Sequence, residues 1–123
     1  MAKKIAEEKK RVVITGIGVI SPNGIGKIKF WNALKNGISG IKRITSFNAS
    51  SFSCKIAGEI TDFNPLDFLE KKEARRMARC THFAVAAAQL ALNDAAFKPR
   101  LAPAGTIGIV LGVSTSALDL IEK

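Results

Sequence analysis

Apolar and polar positions fall into blocks along the chain, and each block has its own period. Residues 11–20, "RVVITGIGVI", form a near-continuous β-branched run. A run with no polar face predicts a strand buried on both sides, as in a parallel or mixed α/β sheet. Ser21-Pro22-Asn23-Gly24 then breaks the chain. In "KIKFWNALKNG" the apolar residues Phe30, Trp31 and Leu34 share one helical face, and Gly37 stands where a C-cap glycine belongs. The stretch "ISGIKRITSFNASSFSC" is irregular and packs its Ile and Phe down while its Ser loop outward. "KIAGEI" predicts a short strand with Ile56 and Ile60 apolar. Asn64-Pro65 predicts a turn, because the residue before proline is pushed out of α geometry.

The longest periodic block predicts one helix from near Lys71 to about Ala96. From Phe83 to Ala96 only Gln89, Asn93 and Asp94 are polar. A helix that apolar must be covered on most sides, and its alanines let neighbouring backbone come close. "FKPRLAPAG" is a proline-rich loop, "TIGIVLGVS" a second doubly buried strand, and "TSALDLIEK" the start of a further helix. The order β, α, β, long α, β, α indicates an α/β fold. The strands supplied offer little surface for so apolar a helix, so the chain reads as part of a larger domain. Residues 1–10 alternate charge and read as a solvated, flexible tail.

The totals narrow the function classes. A chain of 123 residues makes one small domain, and 47% hydrophobic residues suit a globular core. No apolar run approaches the roughly 18 residues of a spanning helix, and "MAKKIAEEKKR" has no apolar secretory core. Cys54 and Cys80 have neither metal-ligand nor disulfide-framework spacing. The expectation is a reduced, cytoplasmic protein with two ordinary thiols and without a membrane partner. The net charge of +9 implies an acidic partner or a basic soluble surface. With no Tyr, and with Phe and Trp not interleaved among the basic residues, nucleic acid is disfavoured as that partner.

A strand running into glycines raises the question of phosphate binding. A dinucleotide fingerprint needs a third glycine where this chain has Ser21, and Pro22 keeps a helix from starting at Gly18. No acidic residue closes a second strand at the required distance. Gly16 and Gly18 are therefore expected to let the strand pass close to packed neighbours, and Asn23-Gly24 to turn the chain.

"TGIGVISPNGIG", "FWNALKNGISGIKRIT", "FNASSFSCKIAGEI", "KKEARRMARCTHFAVAAAQLALNDA" and "IGIVLGVST" follow one another in an order and spacing that resembles the N-terminal part of a β-ketoacyl-acyl-carrier-protein synthase. The branch it most resembles is the type II elongating condensing enzyme of bacterial fatty-acid synthesis. The resemblance runs from about Arg11 to Lys123. It implies a thiolase-like layered α/β/α/β/α fold, of which residues 11–123 would be the front of the first half. It implies a homodimeric acyltransferase performing a decarboxylating Claisen condensation on acyl-carrier-protein thioesters, without metal or organic cofactor. The family's nucleophilic cysteine and both catalytic histidines belong to later motifs, so no catalytic residue is assigned here. The segment alone is expected to be inactive.

Cys80 and His82 stand two apart on a helix, where side chains do not face each other, so they are not expected to form a dyad. Neither cysteine is expected at a helix start, and His82 reads as an ordinary, partly exposed side chain. The resemblance places carrier-protein binding at Lys72, Arg75 and Arg76, which helical spacing puts on one face. Positive charge near a helix N-terminus is mildly unfavourable, which favours a functional reason for it over a solvated charge run. It also places Thr115 in the wall of the acyl pocket, where the family has an apolar gate. Thr115 is one departure from the family; Ala78, in place of an acid, is another. Two alternatives stay open: a non-catalytic chain-length-factor subunit of polyketide synthesis, and a small basic binding module.

Overall fold

A computed structural model describes residues 11–103 and 105–114. The predicted tail at residues 1–10, the helix predicted from "TSALDLIEK" and the expected pocket residue Thr115 lie outside the described residues.

The first ordered unit is a tight hairpin. β1 (Ile20–Ser21) pairs antiparallel with β2 (Gly24–Ile25), with Ile20 opposite Ile25 and Ser21 opposite Gly24. Pro22-Asn23 is the two-residue loop, and the Ser21 hydroxyl donates to the Gly24 carbonyl at 3.1 Å. Helix α1 (Lys27–Lys35) follows and ends as its sequence predicts. Gly37 takes φ +64°, its N–H reaches the Leu34 carbonyl, and the Ile38 N–H reaches that of Ala33. This pair of bonds satisfies the last carbonyls through a left-handed residue. A second ribbon joins β3 (Lys42–Arg43) to β4 (Ile56–Ala57) across the serine-rich loop. Asn64 is extended, as a residue before proline should be, and its side-chain oxygen accepts from the Leu66 N–H. A 3₁₀ turn over Pro65–Asp67 leads on to the helical region.

That region is two helices, not the one predicted. α2 (Lys71–Ala74) stops after four residues, Ala78 is extended at ψ 155°, and α3 (Arg79–Asp94) starts anew. Ala78 is the N-cap of α3 and has no side-chain acceptor to offer it. At the far end of α3, Ala96 adopts φ +50°; its N–H bonds the Asn93 carbonyl, and the Phe97 N–H bonds that of Leu92. α3 closes on the same motif as α1, with alanine where α1 has glycine.

The two apolar runs also differ from expectation. Residues 11–19 and 106–113 form no ladder among the described residues, and Val12 is 94% and Val110 100% exposed. A doubly buried strand needs a backbone partner on its edge and a covering layer on its face. The described residues supply neither. The buried apolar set is correspondingly slight: Ala33, Ala49, Phe63, Ala74, Ala78 and Ala86. Only one of these is larger than alanine, so these residues do not close a core of their own.

Candidate functional site

α3 is the element on which the candidate residues are hung. On one side it carries the glycine strand. A methyl built on Gly18 would stand 1.9 Å from the Ala87 carbonyl oxygen, and one on Gly16 would stand 2.2 Å from that of Ala91. Ala87, Ala91 and Ala95 make a stripe at four-residue spacing, and Gly16 and Gly18 ride along it, two apart on one face of extended chain. The glycines serve close packing, as expected. Asp94 pins the crossing: its carboxylate accepts from the Ile17 N–H at 3.0 Å and pairs with Lys27 of α1. The Lys27 and Ile17 hydrogen bonds hold its carboxyl below the usual range.

On the opposite side α3 carries residues 63–78. Phe83 meets Phe63 edge-on at 5.0 Å, and Phe63 stacks on Phe68 at 5.8 Å. Arg79 lies over the Phe83 ring, 5.0 Å from its centroid, and donates to the Ile60 carbonyl. Arg79 stays exposed, but its charge is engaged by that ring and carbonyl. Lys72, Arg75 and Arg76 are exposed, and none makes an ion pair among the described residues. The structure brings the three together on α2 and the turn that follows it, not along one long helix. Lys72 is helical, Arg75 is the C-cap, and Arg76 follows in the turn, its N–H bonded to the Glu73 carbonyl. Three unpaired cations on a short, outward segment can meet an acidic surface without first giving up internal partners.

The break in the helix changes the placement of Cys80. It was expected within a long helix and away from a helix start, yet it occupies the first turn of α3. A helix start favours a thiolate, but a nucleophile also needs a base within reach. His82 does not supply one: its Nε2 lies 2.8 Å from the Ala74 carbonyl oxygen. Cys54 is exposed, with its sulfur 3.4 Å from the Ile56 carbonyl. The described residues hold no cluster of three or more metal-ligating groups.

Two carboxylates matter that sequence reading passed over. Asp94 sits in the last turn of a helix, where the dipole disfavours an acid, and that misfit was the available signal. Glu59 accepts from both the hydroxyls and the N–H groups of Thr45 and Ser46, at 2.5–3.1 Å. Those bonds pull its carboxyl from 4.5 down to about 2, the Ser46 hydroxyl contributing most. It pins the loop after β3 to the segment after β4. The adjacent Thr45-Ser46 pair was the visible cue.

The comparisons with known proteins converge. Residues 9–122 match the family model described as beta-ketoacyl synthase, N-terminal domain. The "3-oxoacyl-[acyl-carrier-protein] synthase 2" of Synechocystis sp. is 44% identical over 115 residues, which is 94% of this chain and 28% of the relative. The proteins of the same name from Coxiella burnetii and Staphylococcus aureus (strain COL) are 40% and 41% identical over 116 residues, again 94% of this chain and 28% of theirs. Among solved structures, "The ishigamide ketosynthase/chain length factor" superposes with a TM-score of 0.65 at 36% identity, covering 72% of this chain and 22% of that one. The chain therefore spans little more than a quarter of the length of the curated relatives it matches.

Proposed function

The chain belongs to the beta-ketoacyl synthase family, and on that premise we propose that it forms the front of a 3-oxoacyl-acyl-carrier-protein synthase. The whole protein joins an acyl group to malonyl-carrier protein with loss of CO₂, in fatty-acid synthesis. The collinear match to the synthases over 94% of the chain carries this reading. The uncovered runs at residues 12–14 and 109–113 then have a reason. They are inner strands of a thiolase-like layered body, and the rest of that body supplies their partners.

Within this division of labour the chain contributes framework and docking. Lys72, Arg75 and Arg76 receive the acidic carrier protein and mainly steer and orient its approach. Thr115 stands at the acyl-pocket wall, by the resemblance alone. The nucleophile and its histidines come from the remaining part. The protein works as a homodimer in the cytoplasm and needs no metal or organic cofactor, the phosphopantetheine arm arriving with the carrier.

The test is a chimera in which this chain replaces the matching segment of the Synechocystis synthase. The expected result is a folded dimer that makes 3-oxoacyl-carrier protein from acyl- and malonyl-carrier proteins. A folded dimer without condensing activity overturns the reading. The likeness to the ishigamide ketosynthase/chain length factor favours a second reading, a non-catalytic chain-length-factor subunit. Stable labelling of the natural full-length protein by a radioactive acyl thioester supports the synthase; absence of label supports the second reading.

A further inference from the structure

α2 has four residues, too few to sustain a helical turn unaided. Its orientation is imposed from outside, and two of the bonds that impose it come from a single stripe of α3. His82 Nε2 lies 2.8 Å from the Ala74 carbonyl oxygen, at the end of α2. Seven residues on, Gln89 Nε2 donates to the Phe68 carbonyl at 3.0 Å. Ala86 lies between them on the same stripe and is wholly buried. The two bonded carbonyls bracket residues 69–73, with Lys72 between them and Arg75 and Arg76 directly after. A carbonyl only accepts, so the imidazole donates through Nε2–H. Since α2 stops here, the backbone N–H that reaches the Ala74 carbonyl, from Met77, is at 3.4 Å. That long bond leaves the carbonyl to the histidine.

We propose that His82 is a positioning residue for carrier-protein docking: it holds the end of α2 so that Lys72, Arg75 and Arg76 converge outward, with Gln89 as the second anchor. The inference rests on the docking reading given above. His82 touches neither carrier nor substrate in this role. It sets the bearing of three cations that share no internal ion pair among the described residues.

The experiment uses the chimera, with acyl-carrier protein and a small acyl-pantetheine thioester as alternative substrates. His82→Leu is expected to raise KM for the carrier-bound substrate about fivefold, the usual worth of one hydrogen bond. It should leave kcat in place and flatten the salt dependence of that KM. His82→Gln keeps a donor of similar reach and is expected to restore both. Gln89→Ala, acting at the other anchor, should show the same split in milder form, and it decides the matter if His82→Leu does not fold. A fall in kcat on both substrates, or a lowered melting point with unchanged carrier KM, assigns His82 a purely structural part and overturns the proposal. Arg75→Glu with Arg76→Glu is the control on the premise. If that pair leaves the carrier KM unchanged, the docking reading itself falls, whatever His82 does.

Discussion

Two regions lean on α3 from opposite sides and are held by different forces. Around Gly16 and Gly18 the contact is mainly one of shape: backbone lies on the Ala87, Ala91 and Ala95 stripe with no room for a methyl, and Asp94 adds a polar pin at its end through Ile17 and Lys27. Around residues 63–78 the contact is polar and aromatic: carbonyls reach His82, Gln89 and Arg79 across a cluster of three phenylalanines. The first arrangement tolerates nothing larger, because its neighbours are main-chain atoms that cannot move aside. The second leaves its outward side chains free to vary, which is what a recognition surface requires.

The comparison breaks most sharply at Gly18. Gly18→Ala is expected to cost about 3 kcal/mol or more, read as a lower urea midpoint in the chimera, since the new methyl meets the Ala87 carbonyl oxygen. Ala87→Gly should not rescue it, because the obstacle is backbone. Recovery by that second change would show that the crossing is looser than the geometry says. A smaller effect is expected where α3 ends. Ala96 holds a left-handed conformation that costs a side-chain-bearing residue about 1 kcal/mol, so Ala96→Gly should stabilise by about that amount in thermal melts. Gly37→Ala should lose a similar amount in α1, which ends the same way with the favoured residue.

The smallest expected effect concerns neither side of α3 but the pinned loop, and it serves as a reference. Glu59 is held at about 2 against an ordinary 4.5, so its folded form binds a proton less readily than its unfolded form. Its stabilisation is complete above about 4.5 and is lost as pH falls toward 2. Glu59→Gln should flatten that part of an acid-unfolding curve while leaving neutral-pH carrier kinetics alone. An acid limb identical to that of the parent would remove Glu59 from the account.

Much of this was legible in the residues themselves. The Gly37 helix end and the Asn64-Pro65 turn follow from backbone sterics within a few residues, and the bare backbone of Gly16 and Gly18 pointed to close packing without naming α3 as the neighbour. The break between α2 and α3 was not legible. "KKEARRMARC" contains no glycine or proline, and the His82 contact with the Ala74 carbonyl at the break is one that sequence spacing alone does not announce. The same break moved Cys80 into a first turn. The exposed apolar runs show the complementary limit. Val12 and Val110 carry the composition of an interior, but composition specifies a need for cover and not its source. The basic segment was read from resemblance, and the polar anchors beneath it became visible only with coordinates.

The bare apolar run at residues 12–14 has a consequence for handling the polypeptide. An unpaired, exposed, β-branched run invites the same run on a neighbouring molecule. What opposes that meeting is mutual repulsion among chains that each carry a net +9. Electrolyte weakens the repulsion and leaves the stickiness untouched, so the isolated segment should stay dispersed in dilute buffer and come out of solution as salt is added.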